Sequence, residues 1–152
     1  MDCNIEIVRL EEKHIPDIMK VEHASFSIPW SEKSFRDELK NSIAVYFAAV
    51  CNSIAIGYIG MWQIAGQSDI TNIAVLPEYR RNSVASKLLS SLIEFCRENE
   101  LDPITLEVRE TNIPAINLYS KFGFEKIGER KKYYADTGEN ALIMSLTATT
   151  GE

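Results

Sequence analysis

The stretch Ile73-Ala74-Val75-Leu76-Pro77-Glu78-Tyr79-Arg80-Arg81-Asn82-Ser83-Val84-Ala85-Ser86 sets the tightest limit on what this chain can become. It opens as an apolar strand, breaks at Pro77, passes through two arginines and resumes with helical period from Val84. Val84, Leu88, Leu92 and Phe95 fall on one side of that helix, with Leu89, Ile93 and Cys96 beside them, a face broad enough to pack on a sheet. The helix is expected to end near Asn99, and Asp102-Pro103 leads into a strand over residues 104–108. Strand, helix, strand of this kind is a parallel crossover. A strand that ends in a turn and feeds a short polar first turn aims several free N–H groups at one point, and that point is an anion site. Taken alone, the same residues also describe an ordinary turn and a helix with Ser83 as its N-cap.

The rest of the chain supplies the sheet. Ile5 and Ile7 alternate with Glu6 as a strand does, and Ile15, Ile18 and Met19 share one helical face from about His14 to His23. Ser31 reads as the N-cap of a short helix carrying Phe35 and Leu39. Residues 43–50 and 54–64 form a hairpin about Asn52-Ser53, and a turn at Gly66-Gln67-Ser68 leads to a strand over residues 70–75. Gly57 and Gly60, inside the middle strand, mark a bulge or a close approach. Thr111-Asn112-Ile113-Pro114 starts a further helix that Gly123 stops, and residues 124–134 and 141–146 are strands joined by Asp136-Thr137-Gly138-Glu139. The element order predicts an α/β (α+β) fold, a mixed and mostly antiparallel central sheet with helices on both faces. Residues 1–146 are expected to form a single domain and residues 147–152 a flexible tail.

Charge and cysteine usage narrow the function classes. Net charge is −6, the wrong sign for general nucleic-acid binding and the right one for a cationic partner. No apolar run is long enough for a membrane span, and the first residues lack the basic flank and apolar run of a signal peptide, so the expected location is cytoplasmic, with no membrane and no direct nucleic-acid binding. Cys3, Cys51 and Cys96 are far apart with no CxxC pair, which predicts reduced thiols. The two histidines, His14 and His23, are too few for a His-based metal cluster and are expected on helix surfaces, and no metal is expected.

The loop resembles the pyrophosphate loop of the GNAT family of N-acetyltransferases, in which Arg or Gln is followed by two variable residues, Gly, one variable residue, then Gly or Ala. Here it reads Arg80-Arg81-Asn82-Ser83-Val84-Ala85. Ser83 stands where the family usually has Gly; a side chain there keeps the N–H donor but restricts positive φ and close backbone approach. The element order matches that family from about Ile5 to Leu146. Pro29-Trp30-Ser31-Glu32-Lys33-Ser34-Phe35, Asn72-Ile73-Ala74-Val75, Leu106-Glu107-Val108-Arg109, Leu118-Tyr119-Ser120-Lys121-Phe122-Gly123-Phe124 and Tyr133-Tyr134 are similar to its ribosomal-protein alanine N-acetyltransferase (RimI) branch.

That resemblance implies a set of roles. Acetyl-CoA is the co-substrate, held by Ile73, Ala74 and Val75, by Arg81, Asn82, Ser83, Val84, Ala85 and Ser86, and by Asn112, which is equally suited to be an N-cap. An amine must lose its proton before it attacks; an α-amino group titrates near about 7.7 to 8.0, so a carboxylate can serve as base. Glu107 matches that base; on its residues alone it is a solvated glutamate or an ion-pair partner of Arg109. The thiolate leaving group takes a proton from a neutral donor, and Tyr119, ordinarily near about 10, matches the acid; otherwise it is a core tyrosine. Backbone N–H groups of residues 73–75 serve the oxyanion. Trp30, Tyr133 and Tyr134 line the substrate groove or belong to the core. The implied partner is the basic N-terminal peptide of a ribosomal small-subunit protein that begins with alanine. The alternatives are transfer to a small amine or a lysine, and a non-catalytic acyl-CoA-binding module.

Overall fold

A computed structural model describes residues 3–80 and 83–147. Seven strands, β1 (Ile5–Arg9), β2 (Ala44–Cys51), β3 (Ile54–Ile64), β4 (Gln67–Val75), β5 (Ile104–Arg109), β6 (Glu125–Arg130) and β7 (Ala141–Leu146), form one sheet in the order β1-β2-β3-β4-β5-β7-β6. Every pairing is antiparallel except β4 with β5.

Two-residue turns make the meander. Asn52 and Ser53 both have positive φ, as do Ala65 and Gly66, the geometry that suits the twist of a hairpin. The second turn therefore falls at Ala65-Gly66, and β4 starts at Gln67 rather than at residue 70. Its early polar residues hide the strand in the sequence; Ser68 is nonetheless buried, its hydroxyl 3.3 Å from the Cys96 thiol. β6 stops at Arg130, so Tyr133 and Tyr134 lie in the connection to β7 and not in a strand.

Helices α1 (Ile15–Ser25) and α2 (Glu32–Leu39) cover one face of the sheet, α3 (Val84–Glu98) and α4 (Ile113–Lys121) the other. Ser31 caps α2 by accepting the Ser34 N–H at 3.1 Å, and Asn112 caps α4 by accepting the Ala115 N–H at 3.3 Å. Strand alternation divides the core in two. Val45 and Ala49 of β2 join Leu88, Leu89, Leu92 and Ile93 of α3, whereas Tyr46 and Ala48 join Ile15, Ile18, Val21 and Phe35 of α1 and α2. Gly60 is both bulge and close approach: the β3–β4 register shifts beside it, and a Cβ there would lie 2.3 Å from the Tyr46 ring.

Two further expectations are corrected. Cys3 and Cys51 form a disulfide, because the β1–β2 register sets Ile5 opposite Cys51 and brings the two cysteine Cα atoms to 5.8 Å. A separation of 48 residues gave no hint of that pairing. Cys96 is free and buried. His14 is buried rather than exposed: it ends a 3-10 turn, its Nδ1 accepts the Glu11 N–H at 2.9 Å, and burial lowers its pKa so that the ring stays neutral. His23 is exposed, as expected. Of the proposed C-terminal tail, residues 148–152 lie outside the described residues.

Candidate active site

Among the described residues the only parallel ladder in the sheet is short. Ser68, Asp69 and Ile70 of β4 pair with Ile104, Thr105 and Leu106 of β5, and there the pairing ends although both strands continue, β4 to Val75 along β3 and β5 to Arg109 along β7. The point of separation coincides with the β4 bulge, where Ile70 faces Met61 and Asn72 faces Gly60. Residues 71–75 thus present one backbone edge, Ile73, Ala74 and Val75 included, with no strand beside it among the described residues. That edge holds amide donors of fixed direction.

β4 then turns toward α3. Leu76 N–H bonds Ile56 O at 2.8 Å, and Arg80 Nε donates to Val75 O at 3.1 Å, so this arginine ties the turn to the strand end. Ser83 has φ 62° and ψ 19°, and its side chain makes no capping bond. It therefore adopts the left-handed conformation for which glycine is the unstrained residue. This departs from an ordinary serine N-cap, whose backbone is extended and whose hydroxyl accepts an N–H. Its carbonyl accepts Lys87 N–H at 3.0 Å, which opens the helix and leaves the N–H groups of Val84, Ala85 and Ser86 in the first turn, free of intrahelical acceptors. Val84 is buried while Ala85 and Ser86 are half-buried. Arg81 and Asn82 lie outside the described residues. Asn112 spends its side-chain oxygen on the α4 cap.

On the other side of the separation Glu107, Tyr133 and Tyr134 come together, with Tyr119 within electrostatic reach of Tyr134. Glu107, on the face of β5 away from α3, has a side chain 26% exposed and pairs with Arg130 Nε of β6. The Tyr133 hydroxyl bonds the same carboxylate, which raises the tyrosine's pKa. Tyr133 and Tyr134 rings lie 5.1 Å apart. Tyr134 in turn acts on Tyr119, whose pKa burial, first, and then Tyr134 push up to about 12. Tyr119 is 5% exposed, and its ring lies 5.6 Å from that of Phe124. A hydroxyl so placed stays protonated at neutral pH. Trp30 stands apart from this group, beside Phe35 of α2 at 5.3 Å.

Arg109 does not pair with Glu107. Its guanidinium forks onto Asp136 at 3.1 and 3.0 Å, reaches Glu139 at 3.4 Å and stacks 4.0 Å from the Tyr134 ring centroid. The Asp136 and Glu139 carboxyls are held below their usual range, Asp136 by this hydrogen-bonded pairing and Glu139 first by the Thr111 and Thr137 hydroxyls. By its sequence neighbours Lys126, Lys131 and Lys132, Arg130 reads as part of a solvated strand face. Its partner lies 23 residues away with β7 between them, a diagonal that no sequence spacing marks. Glu22 and Glu38, which sequence reasoning did not single out, are buried on the α1–α2 face. Among the described residues no group of three or more His, Cys, Asp or Glu side chains could hold a metal ion, and no helix is long and apolar enough to cross a membrane.

Similarity to known proteins follows the same lines. A Bacillus subtilis protein described as "putative ribosomal protein bS18-alanine N-acetyltransferase" is 43% identical over 141 residues, 92% of each chain. The crystal structure of the ribosomal-protein-S18-alanine N-acetyltransferase from Escherichia coli superposes with a TM-score of 0.89 at 29% identity, covering 98% of this chain and 97% of that one. A chain of the NatC complex, solved with Gag peptide and CoA bound, superposes at 0.81 with 26% identity over 95% of this chain and 98% of that one. Residues 15–124 match the model of the acetyltransferase (GNAT) family, and the chain belongs to that family of acyltransferases.

Proposed function

We propose that this enzyme transfers acetyl from acetyl-CoA to the α-amine of a ribosomal small-subunit protein that begins with alanine, in the cytoplasm. The observation that carries the reading is the cluster Glu107, Tyr133, Tyr134 and Tyr119 beside the place where β4 and β5 part. The substrate class is drawn from the relatives whose names specify the alanine of bS18.

The residues fit an acyl-CoA. The first turn of α3 offers the N–H groups of Val84, Ala85 and Ser86 at the positive end of a helix 15 residues long, where a diphosphate is stabilised. The bare edge at residues 73–75 offers donors to a carbonyl oxygen. Bound there, acetyl-CoA supplies an electrophilic thioester carbon.

The protein's part is proton management. Glu107 takes the proton of the incoming ammonium, leaving a lone pair to form the new N–C bond. To reach Glu107 the ammonium competes with the Arg130 guanidinium, and an exposed ion pair gives way at small cost, under about 1 kcal/mol. As the C–S bond breaks, Tyr119 gives its hydroxyl proton to the departing sulfur. A tyrosine raised by burial keeps its proton at neutral pH and so has one to give as the thiolate departs. The net charge of −6 draws a basic peptide toward the enzyme.

A second reading, transfer to a lysine or a small amine, is favoured by the exposure of Glu107, which leaves the base open to a long side chain. The test is tandem mass spectrometry of peptides incubated with enzyme and acetyl-CoA. A peptide beginning with Ala and continuing with basic and aromatic residues gains acetyl on its α-amine, faster at low salt. Acetyl on lysine, or equal rates on an acidic peptide, moves the assignment to the second reading.

A further inference from the structure

A chain of hydrogen bonds that the chemistry above does not use runs beneath the α1–α2 face. Asn72 Nδ2 donates to the Tyr58 hydroxyl at 2.8 Å, and that hydroxyl donates to Glu22 Oε1 at 2.6 Å. From the far side the backbone N–H of Trp30 donates to Glu22 Oε2 at 2.9 Å. Glu22 is 2% exposed and Tyr58 fully buried, its ring edge-on to Phe35 and stacked on Tyr46.

The two ends of this relay lie on separate elements, the strand edge proposed for the thioester and the exposed segment between α1 and α2. Asn72 sits in the β4 bulge where β4 leaves β5, next to Ile73 of the bare edge. Trp30 ends the segment between α1 and α2, where Phe26, Ile28 and Trp30 are 38%, 86% and 37% exposed. Directionality makes Glu22 hard to replace. Both of its oxygens accept, one from each end. A glutamine there would set its NH2 either against the Trp30 N–H or against a Tyr58 hydroxyl that already accepts from Asn72, and a buried donor would go without an acceptor.

We propose that Glu22 is a positioning residue: its carboxylate fixes the segment carrying Trp30 to the strand edge at Asn72, and so sets how large a first side chain the amine substrate can carry. This rests on the proposed transfer to an α-amine. Glu22 touches no reacting atom, so it acts through where Trp30 and Asn72 stand.

The experiment is Glu22→Gln with steady-state kinetics on two basic peptides that differ only in Ala or Leu at the first position, alongside acetyl-CoA titration by calorimetry. The expected result is a KM for the Ala peptide raised about tenfold or more, a smaller change in kcat, a reduced Ala-over-Leu preference in kcat/KM, and an unchanged dissociation constant for acetyl-CoA. Tyr58→Phe keeps the ring stack, removes the middle hydroxyl and shifts the same quantities in the same direction; it decides the matter if Glu22→Gln does not fold. The two losses are less than additive in the double variant, since either one breaks the same relay. Wild-type KM and selectivity in the folded variants overturn the proposal, as does loss of acetyl-CoA binding in parallel with peptide binding, which marks a general structural role. Should the wild type acetylate lysine instead, the substrate reading fails by itself, and the relay is then judged on KM for the lysine peptide.

Discussion

Two regions flank the separation of β4 and β5, and both hold carboxylates against tyrosines. Under α1 and α2 the carboxylates are buried: Glu22 accepts from Tyr58 and Trp30, and Glu38 accepts from Tyr46 at 2.9 Å and from Trp62 Nε1 at 2.7 Å. Around β5 and the β6–β7 connection they face solvent: Glu107 meets Arg130 and Tyr133, while Asp136 and Glu139 meet Arg109. Buried acceptors with fixed neutral donors hold helices in place and resist exchange, because an unpaired donor in the core is costly. Exposed ion pairs are weak and exchange partners readily. The first arrangement suits a scaffold, the second a surface that receives a cation and passes on its proton.

The largest effect that separates the two regions is on turnover. Glu107→Gln lowers kcat/KM by about 100- to 10,000-fold, most at low pH where the amine is hardest to deprotonate, while the thermal midpoint barely moves. Tyr119→Phe lowers kcat by slowing thiolate departure; because burial pushes the wild-type hydroxyl up to about 12, its deprotonation is expected to cost the wild type no activity at pH 9 or below. Rates of both variants across pH check these two roles, and wild-type rates throughout would remove them. Glu38→Ala does the reverse, destabilising by about 2 to 4 kcal/mol in denaturant titration through the orphaned Tyr46 hydroxyl and Trp62 indole N–H, with Glu107 and Tyr119 intact.

The smallest effect is on pH stability, and the two regions loosen at opposite ends of the scale. Asp136 and Glu139 have lowered pKa values, so their contribution is complete above the unfolded values near about 4 and fades as pH falls through the folded ones. Tyr46 and Tyr58 are raised, chiefly by burial, so theirs is complete below about 10 and fades as pH rises beyond it. Amide signals of residues 131–139 are expected to weaken first in acid, and the near-ultraviolet signal of Trp30 and Trp62 first in alkali. The opposite order would undo the contrast.

How much of this the sequence discloses follows the same division. Local rules placed the caps at Ser31 and Asn112, the apolar face of α3 and the turn at Asn52-Ser53, because each depends on neighbours within a few residues. The Cys3–Cys51 pairing, the Arg130–Glu107 contact and the burial of Glu22 and Glu38 depend on strand register and on what lies across the sheet, and charged residues at helical spacing look alike whether they face water or a tyrosine. Glu107 and Tyr119 stood out only through likeness to a family. Nothing in residue order alone says that Tyr133 bonds the Glu107 carboxylate with Tyr134 beside it.

The central claim is that acyl transfer takes place where β4 and β5 part. Amide chemical shifts followed during titration with acetyl-CoA test it most directly. The expected result is saturable perturbation concentrated in residues 71–75, in Val84, Ala85 and Ser86, and in Val108 and Arg109, with little change in the concavity of about 290 Å³ that Arg9, Glu11, Arg36 and Tyr46 help to line on the α2 side of the sheet edge. No perturbation at millimolar ligand, or shifts centred on that concavity, would contradict the account.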